Sequence, residues 1–225
     1  MLAGNLSFHD SGGGNTAGME YPSRLMRGAG HMINCAGFLE RSGVNGPGLR
    51  AVVWVQGCPL RCQGCFNRDL WSFAKKWLVT EDDLAARILA VPGIAGVTFS
   101  GGEPFCQAAP LAALGRMIRE SGGSVVTFSG YPAETLLSSR RKDWKALLEE
   151  TDLLVAGPFV RECRTQSSLC ASANQEMIPL SGRIAPGHGR GEEGTGVEFT
   201  IGRGGEVTTT GFPERIILSC GRRCA

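Results

Sequence analysis

The sequence predicts an α/β fold built on a parallel sheet, and three observations predict it. Short apolar runs rich in β-branched residues alternate with amphipathic helical segments. A capping pattern and a Pro-Gly break bound the first of those helical segments. The chemistry-bearing residues fall just past the apolar runs, where a parallel sheet gathers functional groups at the C-terminal ends of its strands.

Residues 1–30 are rich in Gly, Ser and Asn without hydrophobic periodicity, the composition of a loosely held extension. Met32 begins a segment of different character, so residues 1–31 are expected to form a flexible, dispensable leader. Asn45-Gly46-Pro47-Gly48 is a turn cluster, and Ala51 to Gln56 reads as a buried strand that delivers Cys58 at its end. Thr80 with Asp83 three residues on forms a capping box opening a helix through Ala90, with Leu84, Ile88 and Leu89 on its apolar face. Pro92-Gly93 breaks that helix and Val97 to Ser100 is a short strand. Pro110 to Glu120 is the next helix, with Leu111, Leu114 and Ile118 on one side.

Val125 to Phe128 is a strand, Trp144, Leu147 and Leu148 mark a helix, and Leu153 to Val155 is a strand entering Gly157-Pro158. The order β-α-β-α-β-α-β implies right-handed crossovers. Glycines then crowd from Ser181 to Gly196 as a loop. Val197, Phe199 and Ile201 alternate with polar residues, and Glu206 to Thr210 follows Gly204-Gly205, which reads as a β-hairpin. The expected organisation is a leader over 1–31, a core over 32–180, and a Gly-rich loop with a C-terminal hairpin and tail over 181–225.

A chain of 225 residues, 42% hydrophobic, has material for one substantial core with appendages. Lys and Arg number 23 against 21 Asp and Glu, a net charge of +2 with no basic stripe, which argues against a nucleic-acid footprint. No signal-peptide pattern and no run of membrane-spanning length occurs, so a soluble cytoplasmic protein is expected. Thiols stay reduced there, and nine cysteines point to metal or redox chemistry rather than a disulfide framework. His9, His31 and His188 lie in or beside the leader and in the Gly-rich loop, and are read as solvated side chains rather than ligands.

Cys58, Cys62 and Cys65 stand as C-P-L-R-C-Q-G-C. A loop supplying three thiolates to a four-iron cube leaves one iron corner free for something that is not protein. Chance spacing and structural zinc compete with that reading. Zinc prefers four closed ligands, and the tail offers Cys220 and Cys224. Ser100-Gly101-Gly102-Glu103-Pro104 ends a strand: its glycines permit close approach of backbone to a ligand, and its carboxylate can accept from an ammonium group. Taken alone, it also reads as an ordinary β-to-α turn.

Together, the cysteine triplet and Ser100-Gly101-Gly102-Glu103-Pro104 resemble the radical S-adenosylmethionine superfamily. The resemblance implies a partial (βα) barrel of about six parallel strands. It also implies one 4Fe-4S cluster on Cys58, Cys62 and Cys65, its fourth iron chelated by S-adenosylmethionine. Gly101, Gly102 and Glu103 are then the contact to the methionine amino group, and Gly64 and Phe66 flank the cluster beside the cofactor. Further segments resemble activating enzymes of glycyl radical enzymes, above all the anaerobic ribonucleotide reductase activases. These are Asn45-Gly46-Pro47-Gly48-Leu49-Arg50, Gly64-Cys65-Phe66-Asn67, Phe128-Ser129-Gly130-Tyr131, Asp152 to Phe159, and Ser172-Ala173-Asn174-Gln175. Thr210-Gly211-Phe212-Pro213 resembles a tail of longer relatives.

The implied activity is reductive cleavage of S-adenosylmethionine to a 5′-deoxyadenosyl radical, which installs a glycyl radical on a partner. The implied partners are a glycyl radical enzyme such as anaerobic ribonucleotide reductase and an electron donor such as flavodoxin or ferredoxin, with no nucleic acid and no membrane. Ala156 departs from the acidic residue that reductase activases carry before Gly-Pro-Phe. Gly64 stands where many superfamily members have an aromatic, a change the reductase activases share. Two alternatives therefore stand: a radical enzyme modifying a peptide or small metabolite directly, and a non-catalytic zinc or iron–sulfur interaction module.

Ser129 and Thr127 are read either as reaching the cofactor ribose or as strand-end hydroxyls satisfying their own turn. Asn174 and Gln175 either bind cofactor or partner, or close a loop. Tyr131 and Trp71 read as core or partner contacts as readily as catalytic groups. Cys106, Cys163, Cys170, Cys220 and Cys224 are expected to be free thiols rather than ligands of a second cluster. Iron analysis after anaerobic reconstitution is expected to return about four irons per chain, against about eight if a second cluster forms.

Overall fold

The computed structural model describes residues 32–165, 169–184, 196–201, 204–205 and 207–211. The expected leader, most of the Gly-rich loop, all three histidines, Phe212-Pro213, Cys220 and Cys224 lie outside them. A seven-stranded sheet carries the fold. Its strands are β1 (Met32–Ser42), β2 (Arg50–Val55), β3 (Trp77–Thr80), β4 (Gly96–Gly101), β5 (Ser124–Ser129), β6 (Leu153–Ala156) and β7 (Glu176–Pro179). They lie in the order β3-β1-β2-β4-β5-β6-β7. Helices α1 (Glu81–Leu89), α2 (Ala108–Glu120), α3 (Ala133–Leu137) and α4 (Lys142–Glu149) fill the connections, and β8 (Val197–Ile201) pairs with β9 (Val207–Gly211) as a separate antiparallel hairpin. None of the described helices is long and apolar enough to cross a membrane.

The α/β class and the C-terminal hairpin are as expected, but the parallel set is smaller. Strands β2, β4, β5 and β6 run parallel, whereas β1, β3 and β7 pair antiparallel with their neighbours, so four strands rather than about six are parallel. The connections are the reason, one by its length and the other by its lack of an α-helix among the described residues. The turn over residues 43–49 is too short to carry a crossover from β1, and the link over 157–175 holds only a 3-10 turn, Arg161–Cys163, among its described residues. β2 therefore returns beside β1 and β7 beside β6, while β3 adds to the outer side of β1, so β3 and β7 become the sheet's edges.

Local chemistry explains the helices. Thr80 Oγ accepts from the Asp83 amide at 3.1 Å, and Glu81, Asp82 and Asp83 place negative charge at the positive end of α1. Leu84 and Ile88 of α1, Leu111, Leu114 and Ile118 of α2, and Trp144 and Leu147 of α4 close over Val53, Val97, Phe99, Val125 and Leu154. On the opposite face Val126, Leu153 and Val155 meet Leu169, Cys170 and Ile184. Burial on both faces is why the central strands read as continuous apolar runs.

At the N-terminal ends of the parallel strands the interior is polar. Arg50, fully buried, donates from Nε to Thr98 Oγ1 (3.1 Å), from Nη1 to Pro47 O (2.9 Å) and Ser124 Oγ (3.1 Å), and from Nη2 to Val97 O (3.0 Å) and Ser124 O (2.6 Å). Burial lowers its pKa to about 10, with Asp152 opposing the shift, so it stays charged at neutral pH. The Asn45 to Arg50 motif is thus a tie between β2, β4 and β5, at the far end of the sheet from the cysteines. Arg50→Ala strands those carbonyls and is expected to cost about 3 kcal/mol in urea unfolding.

Candidate functional site

The cysteine loop leaves β2 and is pinned back to its own start. Gly57 donates to Leu70 O (2.9 Å) and Cys58 to Trp71 O (3.2 Å), while Gln56 Nε2 donates to Ser72 O (2.6 Å). Within the loop Cys65 N–H donates to Cys62 O (3.1 Å), a turn that sets these two residues side by side. Asn67 N–H reaches Cys65 Sγ at 3.4 Å. Arg61 sits at φ 48, a left-handed backbone that non-glycine residues rarely adopt, so the loop is held in a costly shape. All three thiols are free and half-buried.

The Gly101–Glu103 segment leaves the neighbouring strand and lies directly against this loop. Gly102 donates to Val55 O (2.8 Å) and Glu103 to Gly57 O (2.9 Å). A Cβ on Gly102 would overlap the Gly57 carbonyl oxygen, so the close approach anticipated for a ligand is first of all an approach to the cysteine loop's backbone. Glu103 is fully buried. Its Oε1 accepts from Phe105 N–H (3.0 Å) and Ser129 Oγ (2.9 Å), and its Oε2 from Gly130 N–H (2.8 Å). The carboxylate thereby joins the end of β4 to the end of β5.

Burial pushes the Glu103 pKa up to about 7 from 4.5, while its three donors, which favour the anion, oppose the shift. Burial likewise raises the Cys58 thiol, with the Leu60 and Arg61 amides opposing and the Glu103 charge adding. Cys106, in the 3-10 turn after Glu103, is exposed at the surface, yet desolvation on its inner side and then the charges of Glu103 and Cys58 push its thiol up to about 11. Cys35 on β1 is pushed up to about 12 by burial.

The structure brings Cys58, Cys62, Cys65, Gly101, Gly102, Glu103 and Ser129 to one end of the parallel strands. Ser129 Oγ donates to Glu103 and accepts from Tyr131 N–H (3.1 Å), and Thr127 Oγ1 pairs with Thr151 Oγ1 (2.8 Å), so both hydroxyls are engaged as strand-end groups. Gln175 closes a loop: its Oε1 accepts from Ala171 N–H (2.8 Å) and its Nε2 donates to Gly157 O (2.9 Å). Asn174 Nδ2 donates to Pro158 O (2.8 Å). Tyr131 stacks on Trp144 at 5.0 Å, and Trp71 lies under the Arg68 guanidinium at 5.5 Å. Two participants were not anticipated, Gly57 and Leu60. Leu60 occupies the space that a side chain on Gly130 would fill. Both lie beside Cys58, and that adjacency was their only signal.

The donor set suits a three-thiolate cluster. Three free thiols from one loop, without a histidine or exposed carboxylate among them, are soft ligands of the kind iron–sulfur clusters take. Among the described residues no three His, Cys, Asp or Glu side chains converge on one ion position. A cube requires no such convergence, because each thiolate takes a different iron corner.

Residues 44–178 match the family model described as a 4Fe-4S single cluster domain. Over 137 residues, 58% of this chain, the sequence is 31% identical to a pyruvate formate-lyase-activating enzyme of Clostridium pasteurianum, covering 52% of that protein. It is 30% identical over 137 residues to the protein of the same name from Staphylococcus aureus strain USA300, covering 53% of it. The chain spans about half the length of these curated relatives. The crystal structure of QueE from Escherichia coli superimposes with a TM-score of 0.40 at 17% identity, over 54% of this chain and 68% of that one.

Because the Glu103 pKa is raised on folding, the native state holds the extra proton between pH 4.5 and about 7, and stability falls as pH rises through that window. Urea midpoints of the apoprotein across pH are expected to show this loss, at a slope of up to about 1.4 kcal/mol per pH unit. Glu103→Gln is expected to flatten it.

Proposed function

Because this chain belongs to the family of 4Fe-4S single cluster domains, we propose that it is a radical S-adenosylmethionine activase. In this reading it cleaves S-adenosylmethionine reductively at one cluster and installs a glycyl radical on a partner enzyme of the anaerobic ribonucleotide reductase type. One observation carries the proposal: the three-thiol loop is fastened by backbone hydrogen bonds to the Gly101–Glu103 segment at the C-terminal end of the parallel strands. The two matched relatives, both pyruvate formate-lyase-activating enzymes by name, support an activase, and the reductase branch rests on the resemblance of the segments from Asn45 to Gln175 alone.

Cys58, Cys62 and Cys65 are the residues that would hold the cluster. Bound there with S-adenosylmethionine, it supplies a one-electron cleavage of a carbon–sulfur bond. The chain's own contributions are positional. Gly101 and Gly102 bring the turn's backbone against the loop, at the place where this reading puts the methionine amino group. Glu103, closed to solvent, ties the end of this turn to Ser129 and Gly130 at the end of β5. Phe66, half-exposed beside Cys65, offers an apolar wall that limits water. A flavodoxin or ferredoxin is the class of donor that suits a cluster near the surface.

Anaerobic reconstitution with iron and sulfide, followed by dithionite and S-adenosylmethionine, is expected to yield 5′-deoxyadenosine. Cys58→Ala, Cys62→Ala and Cys65→Ala are each expected to abolish it. A protein carrying about four irons that forms none overturns the enzyme reading. With a candidate partner present, a glycyl doublet in electron paramagnetic resonance is expected; cleavage without that doublet favours direct modification of a peptide or metabolite.

A further inference from the structure

The segment leaving β6 turns back over the cysteine loop and grips it with two arginines. Its own position is set by Val160 N–H donating to Ser172 Oγ (3.2 Å), Ala173 N–H donating to Cys163 O (2.6 Å), and an antiparallel bridge between Arg164 and Ser172. From there the Arg161 guanidinium lies on Gly64: a Cβ built on that glycine would stand 2.6 Å from Nε and 2.8 Å from Nη2. Gly64 has φ 81, in the left-handed region, and sits between Cys62 and Cys65. Arg164 stacks its guanidinium over Phe66 at 5.0 Å and over Phe159 at 5.7 Å, and the two rings are 5.3 Å apart. Among the described residues neither arginine forms a salt bridge with a carboxylate.

We propose that Arg161 is a positioning residue for the cluster. Its guanidinium takes the place of the side chain that residue 64 lacks, braces the Cys62–Cys65 turn, and puts a positive charge on that turn. This rests on the reading of Cys58, Cys62 and Cys65 as cluster ligands. One-electron reduction adds a negative charge to a cluster, and a cation fixed nearby stabilises the reduced form more than the oxidised one. Arg161 therefore raises the reduction potential. Because Arg161 is exposed, solvent and salt screen the effect, which must shrink as ionic strength rises. Arg164 acts differently: lying over both rings, it packs with Phe159 against Phe66 and steadies the loop's outer edge.

Two measurements test the proposal, one of them without any cluster. In the apoprotein, Gly64→Ala, Arg161→Ala and the double variant form a cycle read by thermal unfolding. Gly64→Ala is expected to lower the midpoint less when Arg161 is already absent, because only the backbone cost at φ 81 remains. Equal losses in both backgrounds overturn the brace. In the reconstituted protein, a redox titration followed by electron paramagnetic resonance compares wild type with Arg161→Gln and Arg161→Lys at equal iron content. Arg161→Gln is expected to shift the midpoint to more negative potential and Arg161→Lys to restore most of the shift, with the difference narrowing in high salt. An unchanged midpoint in a fully loaded Arg161→Gln protein overturns the charge role. A wild-type chain that takes up no iron overturns the cluster reading and the charge role together, whereas an additive cycle overturns only the brace.

Discussion

Two backbone hydrogen bonds, from Gly102 to Val55 and from Glu103 to Gly57, set how close the cysteine loop stands to the acidic turn. They exist because residue 102 has no side chain; any Cβ would overlap the Gly57 carbonyl. With the two backbones locked at this distance, Glu103 points into the interior. A buried carboxylate is tolerated only where donors meet it, and the amides of Phe105 and Gly130 with the Ser129 hydroxyl supply them. The tops of β2, β4 and β5 are thereby tied into one rim that the thiols stand on.

A second polar anchor works at the opposite end of the same strands. Arg50 collects carbonyls and hydroxyls from the Pro47 turn, from β4 and from β5, and remains charged despite complete burial. Between the two anchors the central strands are apolar on both faces. The arrangement separates tasks: register is held at the bottom, and the top is free to carry strained features such as the left-handed Arg61 in the cysteine loop. The segment after β6 serves the top as well, reaching across with Arg161 and Arg164 to steady the outer side of that loop.

Much of this was legible in the chain. The central parallel strands and three of the helices stood out because each buries an apolar stripe of its own period. Thr80 and Asp83 marked a helix start because capping is satisfied within one turn. The edges were less visible. β1 carries Gly37 and a run of small buried residues without clean alternation, and β3 and β7 are short, so neither period nor length announces them. Their antiparallel pairing depends on connections too short or too irregular for a crossover, and this reduced the parallel set to four strands. The Asn45 to Arg50 segment stands out in the chain as a motif, yet its work at the far end of the sheet depends on hydrogen-bond partners in β4 and β5 that the segment itself does not encode.

The types and spacing of residues were enough to identify three thiols on one loop, a glycine pair preceding an acid, and the alternation that brings both to the same ends of parallel strands. These are properties of neighbours in the chain. Tertiary structure alone decided that the glycine pair packs on the cysteine loop, that Glu103 spends its oxygens on Ser129 and Gly130, and that Arg161 fills the space beside Gly64. Each of those contacts joins residues from different strands or loops. Strand order and register determine which side chains meet, and no local pattern of residues encodes them.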